Sequence, residues 1–193
     1  MSKNIKNQSF DITQAKRNIN QKQNPKCIWF EGLSGSGKST LINSLEVYLN
    51  SNGYYTYSLD GDNLRNGLNS DLGFSKQDRI ENIRRASEVA GLMVEAGLIV
   101  LAGFITPFEI QRKELRKNFR KGQFVEVFIS TPLEICEKRD TKGLYKKARR
   151  GEISAFTGID SPFEKPKNAD IEVNTVNLSI EDSVKLLVKE LNL

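Results

Sequence analysis

The chain has 193 residues, a length that suits one globular domain built around a single substantial core. It is 38% hydrophobic and 27% charged, close to the soluble average, and no run approaches the roughly 18 consecutive apolar residues of a membrane helix. The formal charge of +5 belongs to residues 1–26, where six basic side chains face Asp11 alone; the balanced remainder excludes the basic face of a domain that binds nucleic acid polymers.

Residues 1–24 are rich in Asn, Gln and Lys and carry no sustained apolar period, so they are expected to form a disordered or loosely docked basic tail. They hold no apolar segment of the secretory type, and the expected compartment is the cytoplasm. Residues 25–193 are read as one folded domain. The first apolar run, Cys27–Phe30, predicts a strand, and Lys38–Asn50 a helix. A second strand is expected over Tyr55–Leu59, followed by the acidic turn Asp60-Gly61-Asp62-Asn63. Ser75 can cap a long helix that runs to about Ala96. Leu98–Phe104 predicts a third strand, Pro107–Arg120 a helix with a charged face, and Phe124–Ile129 a fourth strand.

Thr131-Pro132-Leu133-Glu134 reads as a capping box opening the next helix. The dense basic run Arg139–Arg150, with Gly143 inside it, suits a lid that closes over phosphates. Ile171–Val173 is the last strand, and Ser179 opens a helix with Val184, Leu187, Val188 and Leu191 on one face. Strands alternating with helices imply an α/β fold: a mostly parallel sheet covered on both faces. Cys27 and Cys136 sit among apolar neighbours and read as buried free thiols. There is no histidine, so proton transfer falls to a carboxylate or to water.

Gly32-Leu33-Ser34-Gly35-Ser36-Gly37-Lys38-Ser39, followed by Thr40, fits the P-loop spacing without a mismatch and lies between a strand and a helix. Its glycines let the backbone curl around phosphate oxygens, and its amides and helix N-terminus offer partial positive charge. Lys38 adds a full charge toward the β- and γ-phosphates of ATP, and Ser39 a hydroxyl for Mg²⁺. A GTPase would need a guanine-reading Asn-Lys-x-Asp, and a motor ATPase an Asp-Glu ending a later strand; neither is present. The acids instead follow the second strand. There Asp60 and Asp62 can hold Mg²⁺ and accept a proton from an attacking hydroxyl. Arg65, Arg79, Arg84 and Arg85 supply forks for sulfate or phosphate oxygens.

The ordered set of the P-loop, Leu59-Asp60-Gly61-Asp62-Asn63-Leu64-Arg65, Asp71-Leu72-Gly73-Phe74-Ser75, Asp78-Arg79-Ile80-Glu81-Asn82-Ile83-Arg84-Arg85, Lys142–Arg149 and Phe156-Thr157-Gly158-Ile159-Asp160 resembles the adenylylsulfate kinase family. The resemblance implies a single-domain P-loop kinase that moves the ATP γ-phosphoryl to the 3′-hydroxyl of adenylylsulfate, giving 3′-phosphoadenylylsulfate for sulfate assimilation. It implies that Arg65, Arg79, Asn82 and Ile105 bind the acceptor, that Phe74 and Phe156 sandwich its adenine, and that Lys142 belongs to the lid. Family members often form homodimers. The chain departs from the family pattern at Phe104-Ile105-Thr106-Pro107-Phe108-Glu109. Thr106 stands where the family has a serine sometimes assigned a covalent phosphoserine role, and Glu109 where a basic residue is usual. Direct transfer with Asp62, Asp60 and Lys38 as the catalytic set is the favoured expectation. Another nucleotide with a different 5′ group is the alternative acceptor.

Overall fold

Five short runs pair into one parallel sheet in the computed structural model, which describes residues 6 and 8–193. They are β1 (Cys27–Glu31), β2 (Thr56–Asp60), β3 (Ile99–Phe104), β4 (Phe124–Ile129) and β5 (Ile171–Val173), in the order β2-β3-β1-β4-β5. Strand β1 is central and wholly buried, with Cys27 opposite Val100 on one side and Phe124 on the other. A strand buried on both faces reads as a continuous apolar run, which is why its sequence does not alternate.

Helices cover both faces. On one, α2 (Lys38–Ser51) and α8 (Ile180–Leu191) pack Leu45, Leu49 and Leu187 against Ile28, Phe30 and Leu101. On the other, α4 (Lys76–Glu95) and α5 (Glu109–Lys117) pack Ile83, Ala90, Val94 and Leu115 against Trp29 and Val100. Each such leucine or isoleucine, fully buried, contributes about 1.5–3 kcal/mol. A third cluster joins α6 (Leu133–Arg139) and α7 (Leu144–Arg149) to the P-loop through Cys136, Tyr145, Leu33 and Phe156. Cys27 and Cys136 are buried free thiols. No helix among the described residues is long and apolar enough to cross a membrane.

Two local expectations are corrected. Within the segment expected to be a loose tail, α1 (Gln14–Gln21) forms and docks; residues 1–5 and 7 lie outside the described residues. The docking uses amides rather than an apolar stripe. Gln14 Nε2 donates to the Val94 carbonyl at 2.9 Å and Gln23 Nε2 to the Gly97 carbonyl at 2.6 Å, while Arg17 reaches that of Glu95. Val94 and Glu95 are the last residues of α4, where helix carbonyls run out of donors within the helix, and Gly97 lies in the turn just beyond. Thr131 does not cap α6: Pro132 holds that position without a side-chain bond, and the Thr131 hydroxyl instead donates to the Ser36 carbonyl at 2.9 Å.

Candidate active site

The loop between β1 and α2 keeps its shape because no side chain fits at two of its glycines. A Cβ at Gly32 would lie 2.7 Å from the Ile129 carbonyl oxygen, and one at Gly35 2.8 Å from that of Cys136. The Ser36 carbonyl accepts bonds from Thr131, Thr175 and Arg139, and the Tyr145 hydroxyl donates to the Ser34 carbonyl at 2.9 Å. Lys38, partly buried, donates to the Gly32 carbonyl at 2.9 Å and the Leu33 carbonyl at 2.7 Å. Burial pushes its ammonium down to about 8, with Asp60 and Asp62 opposing that shift. A bound polyphosphate would favour its charged form further.

Asp60 ends β2 opposite Gly103 of β3 and caps α3 (Gly61–Arg65), a helical turn where the sequence suggested a simple bend. Its Oδ1 accepts from the Asp62 amide at 2.9 Å, and its Oδ2 lies 3.4 Å from the Ser39 hydroxyl. Asp62 is left free of backbone duties. It pairs with Lys142, which comes from the turn between α6 and α7. Both side chains are more than half exposed, so the pair is weak and open to exchange with a ligand.

A cleft of about 840 Å³ opens beside these groups. Lys38, Ser39, Asp60 and Asp62 line it together with every residue expected on the acceptor side: Arg65, Phe74, Arg79, Asn82, Ile105, Lys142 and Phe156. Ser34, Gly35, Gly37 and Thr40 also line it, whereas Gly32, Leu33 and Ser36 are buried behind the loop and shape it. Phe156 is 7% exposed and meets Tyr145 edge-on at 5.0 Å; Phe74 is 62% exposed. The Arg65 guanidinium lies 4.5 Å from the Phe74 ring centre and donates to the Gly73 carbonyl at 2.7 Å. Arg79 Nη2 donates to the Ala155 carbonyl at 3.0 Å, tying α4 to the Phe156 segment. Burial lowers the pKa of both arginines, so these two forks are partly desolvated, as anion recognition favours.

Not every candidate enters the cleft. Arg84 and Arg85 pair with Glu81, and Arg85 also with Asp71, away from it. Conversely, Arg139 and Thr175 line the cleft and hold the P-loop, yet neither carried a distinct signal in the sequence. Arg139 was one charge in a basic run, and Thr175 lies two residues after a short strand.

Thr106 sits at φ 46° and is 1% exposed. Its hydroxyl accepts from Trp29 Nε1 at 2.8 Å, and its carbonyl from Arg112 at 2.9 Å. Nearby, Glu31 is fully buried, and neither of its carboxylate oxygens finds a hydrogen-bond partner. Burial first, and the Glu126 carboxylate second, push it up to about 9, against the pull of Arg112 and Lys38. The native state therefore keeps a proton that the unfolded chain releases above about 4.5; that stabilisation is full below 4.5 and lost as pH climbs to about 9. Glu31→Gln is expected to stabilise the protein by about 1–4 kcal/mol at pH 8, since it replaces a buried ionisable group by a neutral isostere. Thermal unfolding across pH checks this: the gain must grow as pH rises through that window, and a pH-independent gain would contradict a protonated Glu31.

Residues 24–174 match the adenylylsulphate kinase family. The adenylyl-sulfate kinase of Marinobacter nauticus is 55% identical over 177 residues, covering 92% of this chain and 89% of its own. That of Vibrio vulnificus is 54% identical over 182 residues, covering 94% and 88%. Among solved structures, the Mycobacterium tuberculosis APS kinase in complex with AMPPNP and APS superposes with a TM-score of 0.84 at 48% identity, covering 88% of this chain and 99% of that one. The family match spans the P-loop, the acidic turn and the cleft-lining segments up to Phe156 together, and on that ground the chain belongs to the adenylylsulfate kinase family.

Proposed function

We propose that this chain transfers the γ-phosphoryl group of ATP to the 3′-hydroxyl of adenylylsulfate, yielding 3′-phosphoadenylylsulfate and ADP. The observation that carries the reading is one cleft holding both a complete P-loop and an aromatic and arginine-lined pocket, with Asp62 beside Lys38 and Arg65 in it. The P-loop amides and Lys38 take the triphosphate. Phe74 and Phe156 take the acceptor's adenine, Arg65 and Arg79 its anionic group, and Asn82 and Ile105 its remaining edges.

Asp62 then orients the acceptor hydroxyl and takes its proton. The oxygen–phosphorus bond forms as the bond to the β,γ-bridging oxygen breaks, and ADP leaves with that electron pair. Lys142, released from Asp62, neutralises charge on the transferring group as the lid closes. Ser39 and Asp60 suit Mg²⁺, because a hydroxyl and a carboxylate face each other at 3.4 Å. Among the described residues no group of three or more His, Cys, Asp or Glu could hold a metal, which fits an ion shared with substrate phosphates. When bound there, Mg²⁺ would neutralise negative charge on the triphosphate.

The test is a coupled ADP-release assay with Mg-ATP and a panel of nucleotides differing in base and 5′ group. Adenylylsulfate is expected to give the highest kcat/KM; faster turnover of another acceptor would reassign the substrate. Phe156→Ala is expected to weaken acceptor binding by about 1–3 kcal/mol through loss of one stacking face, with ATP binding much less affected. Separate KM values for the two substrates check it, and equal weakening would remove Phe156 from the acceptor pocket.

A further inference from the structure

Behind the acceptor wall lies a buried group of charges that the reaction above does not use. Glu31 closes β1 immediately before the P-loop, and Glu126 lies on the adjacent β4. Arg112 of α5, 5% exposed, places its Nε 3.7 Å from Glu31 Oε1 and 3.7 Å from Glu126 Oε1. Its other two nitrogens are occupied by backbone. Nη1 donates to the Thr106 carbonyl at 2.9 Å and Nη2 to the Glu164 carbonyl at 2.8 Å. A guanidinium desolvated beside acids is a poor device for stability alone. Its planar fork does one thing well, which is to hold several acceptors at fixed angles.

We propose that Arg112, seated between Glu31 and Glu126, is a positioning residue that fixes the Ile105–Thr106 turn as one wall of the acceptor pocket. The inference rests on the proposed function. The turn needs such a fixture. Thr106 is β-branched and sits at a left-handed φ of 46°, a conformation that persists only when surrounding contacts over-determine it. Two contacts do so, Trp29 on the hydroxyl and Arg112 on the carbonyl. The anchor is continuous with the sheet: Glu31 is opposite Phe104 in register, two residues before Thr106. Ile105, Thr106 and Pro107 all line the cleft. A small shift of this wall would displace the acceptor hydroxyl from Asp62 while leaving the P-loop on its own anchors, Thr131, Thr175 and Arg139.

Two variants test this. Arg112→Lys keeps the charge but cannot hold two carbonyls with one fork. The double variant Glu31→Gln/Arg112→Met removes the cation without stranding an acid, because Glu126 retains Arg116 at 3.1 Å. In steady-state kinetics both are expected to raise the acceptor KM about tenfold or more, with the KM for ATP within about twofold of wild type. The double variant should unfold near the wild-type temperature. Should Arg112→Lys fail to fold, the double variant decides alone. An acceptor KM within twofold of wild type in the folded double variant would overturn the inference, as would a parallel rise in both KM values. Failure of wild type to use adenylylsulfate would strike the proposed function instead; the same comparison is then made with whichever acceptor of the panel is turned over.

Discussion

Lys38→Ala is expected to lower kcat by about 10²–10³ or more while the fold stays intact. Positively charged groups aimed at developing charge in a water-poor cleft are usually the largest catalytic contribution, and loss of one such donor costs on that scale. Lys38 is the P-loop's full charge, and its ammonium now rests on the loop's own carbonyls. Removing it should not unfold the protein, because burial already disfavours its charged form, to about 8, and alanine suits a helix's first turn. Steady-state kinetics paired with a thermal melt separates the two effects. Normal turnover with normal ATP affinity would take the P-loop out of the mechanism.

Asp62→Asn is expected to be far more damaging to rate than Thr106→Val. General-base help of the kind assigned to Asp62 is worth about 10²–10⁴ in rate. Asp60 keeps its cap on α3 in this variant, so the acidic turn survives and the loss reports on Asp62 itself. Thr106→Val instead leaves Trp29 Nε1 buried without its acceptor, which should cost about 1–3 kcal/mol of stability and little of the rate. The hydroxyl is engaged with Trp29 and is 1% exposed, an environment built for loop shape rather than for nucleophilic attack. Mass spectrometry during turnover complements the kinetics. A kinetically competent phosphothreonine at Thr106, with Thr106→Val inactive, would replace direct transfer by a covalent route.

The sheet was legible because β1 and β3 at its centre are near-continuous apolar runs and the other strands fall between helix signals; all five lie within a residue or two of where the sequence placed them. The P-loop and the acidic turn were legible because their chemistry is carried by adjacent residues. Contacts between distant segments left no local trace. α1 and the residues after it dock by glutamine amides on carbonyls of α4 and the turn that follows it, and an amide has no periodicity to detect. α7 was hidden inside a run of charges that reads equally well as a loop. Thr131 shows the limit of local rules: its sequence context is that of a cap, but the Ser36 carbonyl some 95 positions earlier claims its hydroxyl. The same holds for Glu31, which keeps its proton through burial under the packed sheet and the approach of Glu126 from β4, against the pull of Arg112.

The measurement closest to the central claim is the position of the transferred phosphoryl group. The enzyme would be incubated with adenylylsulfate and ATP labelled in its γ-phosphoryl, and the product identified by phosphorus NMR and mass spectrometry. The account predicts that the label appears on the ribose 3′-oxygen, that ADP forms in equal amount, and that the sulfate-bearing 5′ group is untouched. Label on any other oxygen, or ADP formed without a phosphorylated nucleotide, would contradict it.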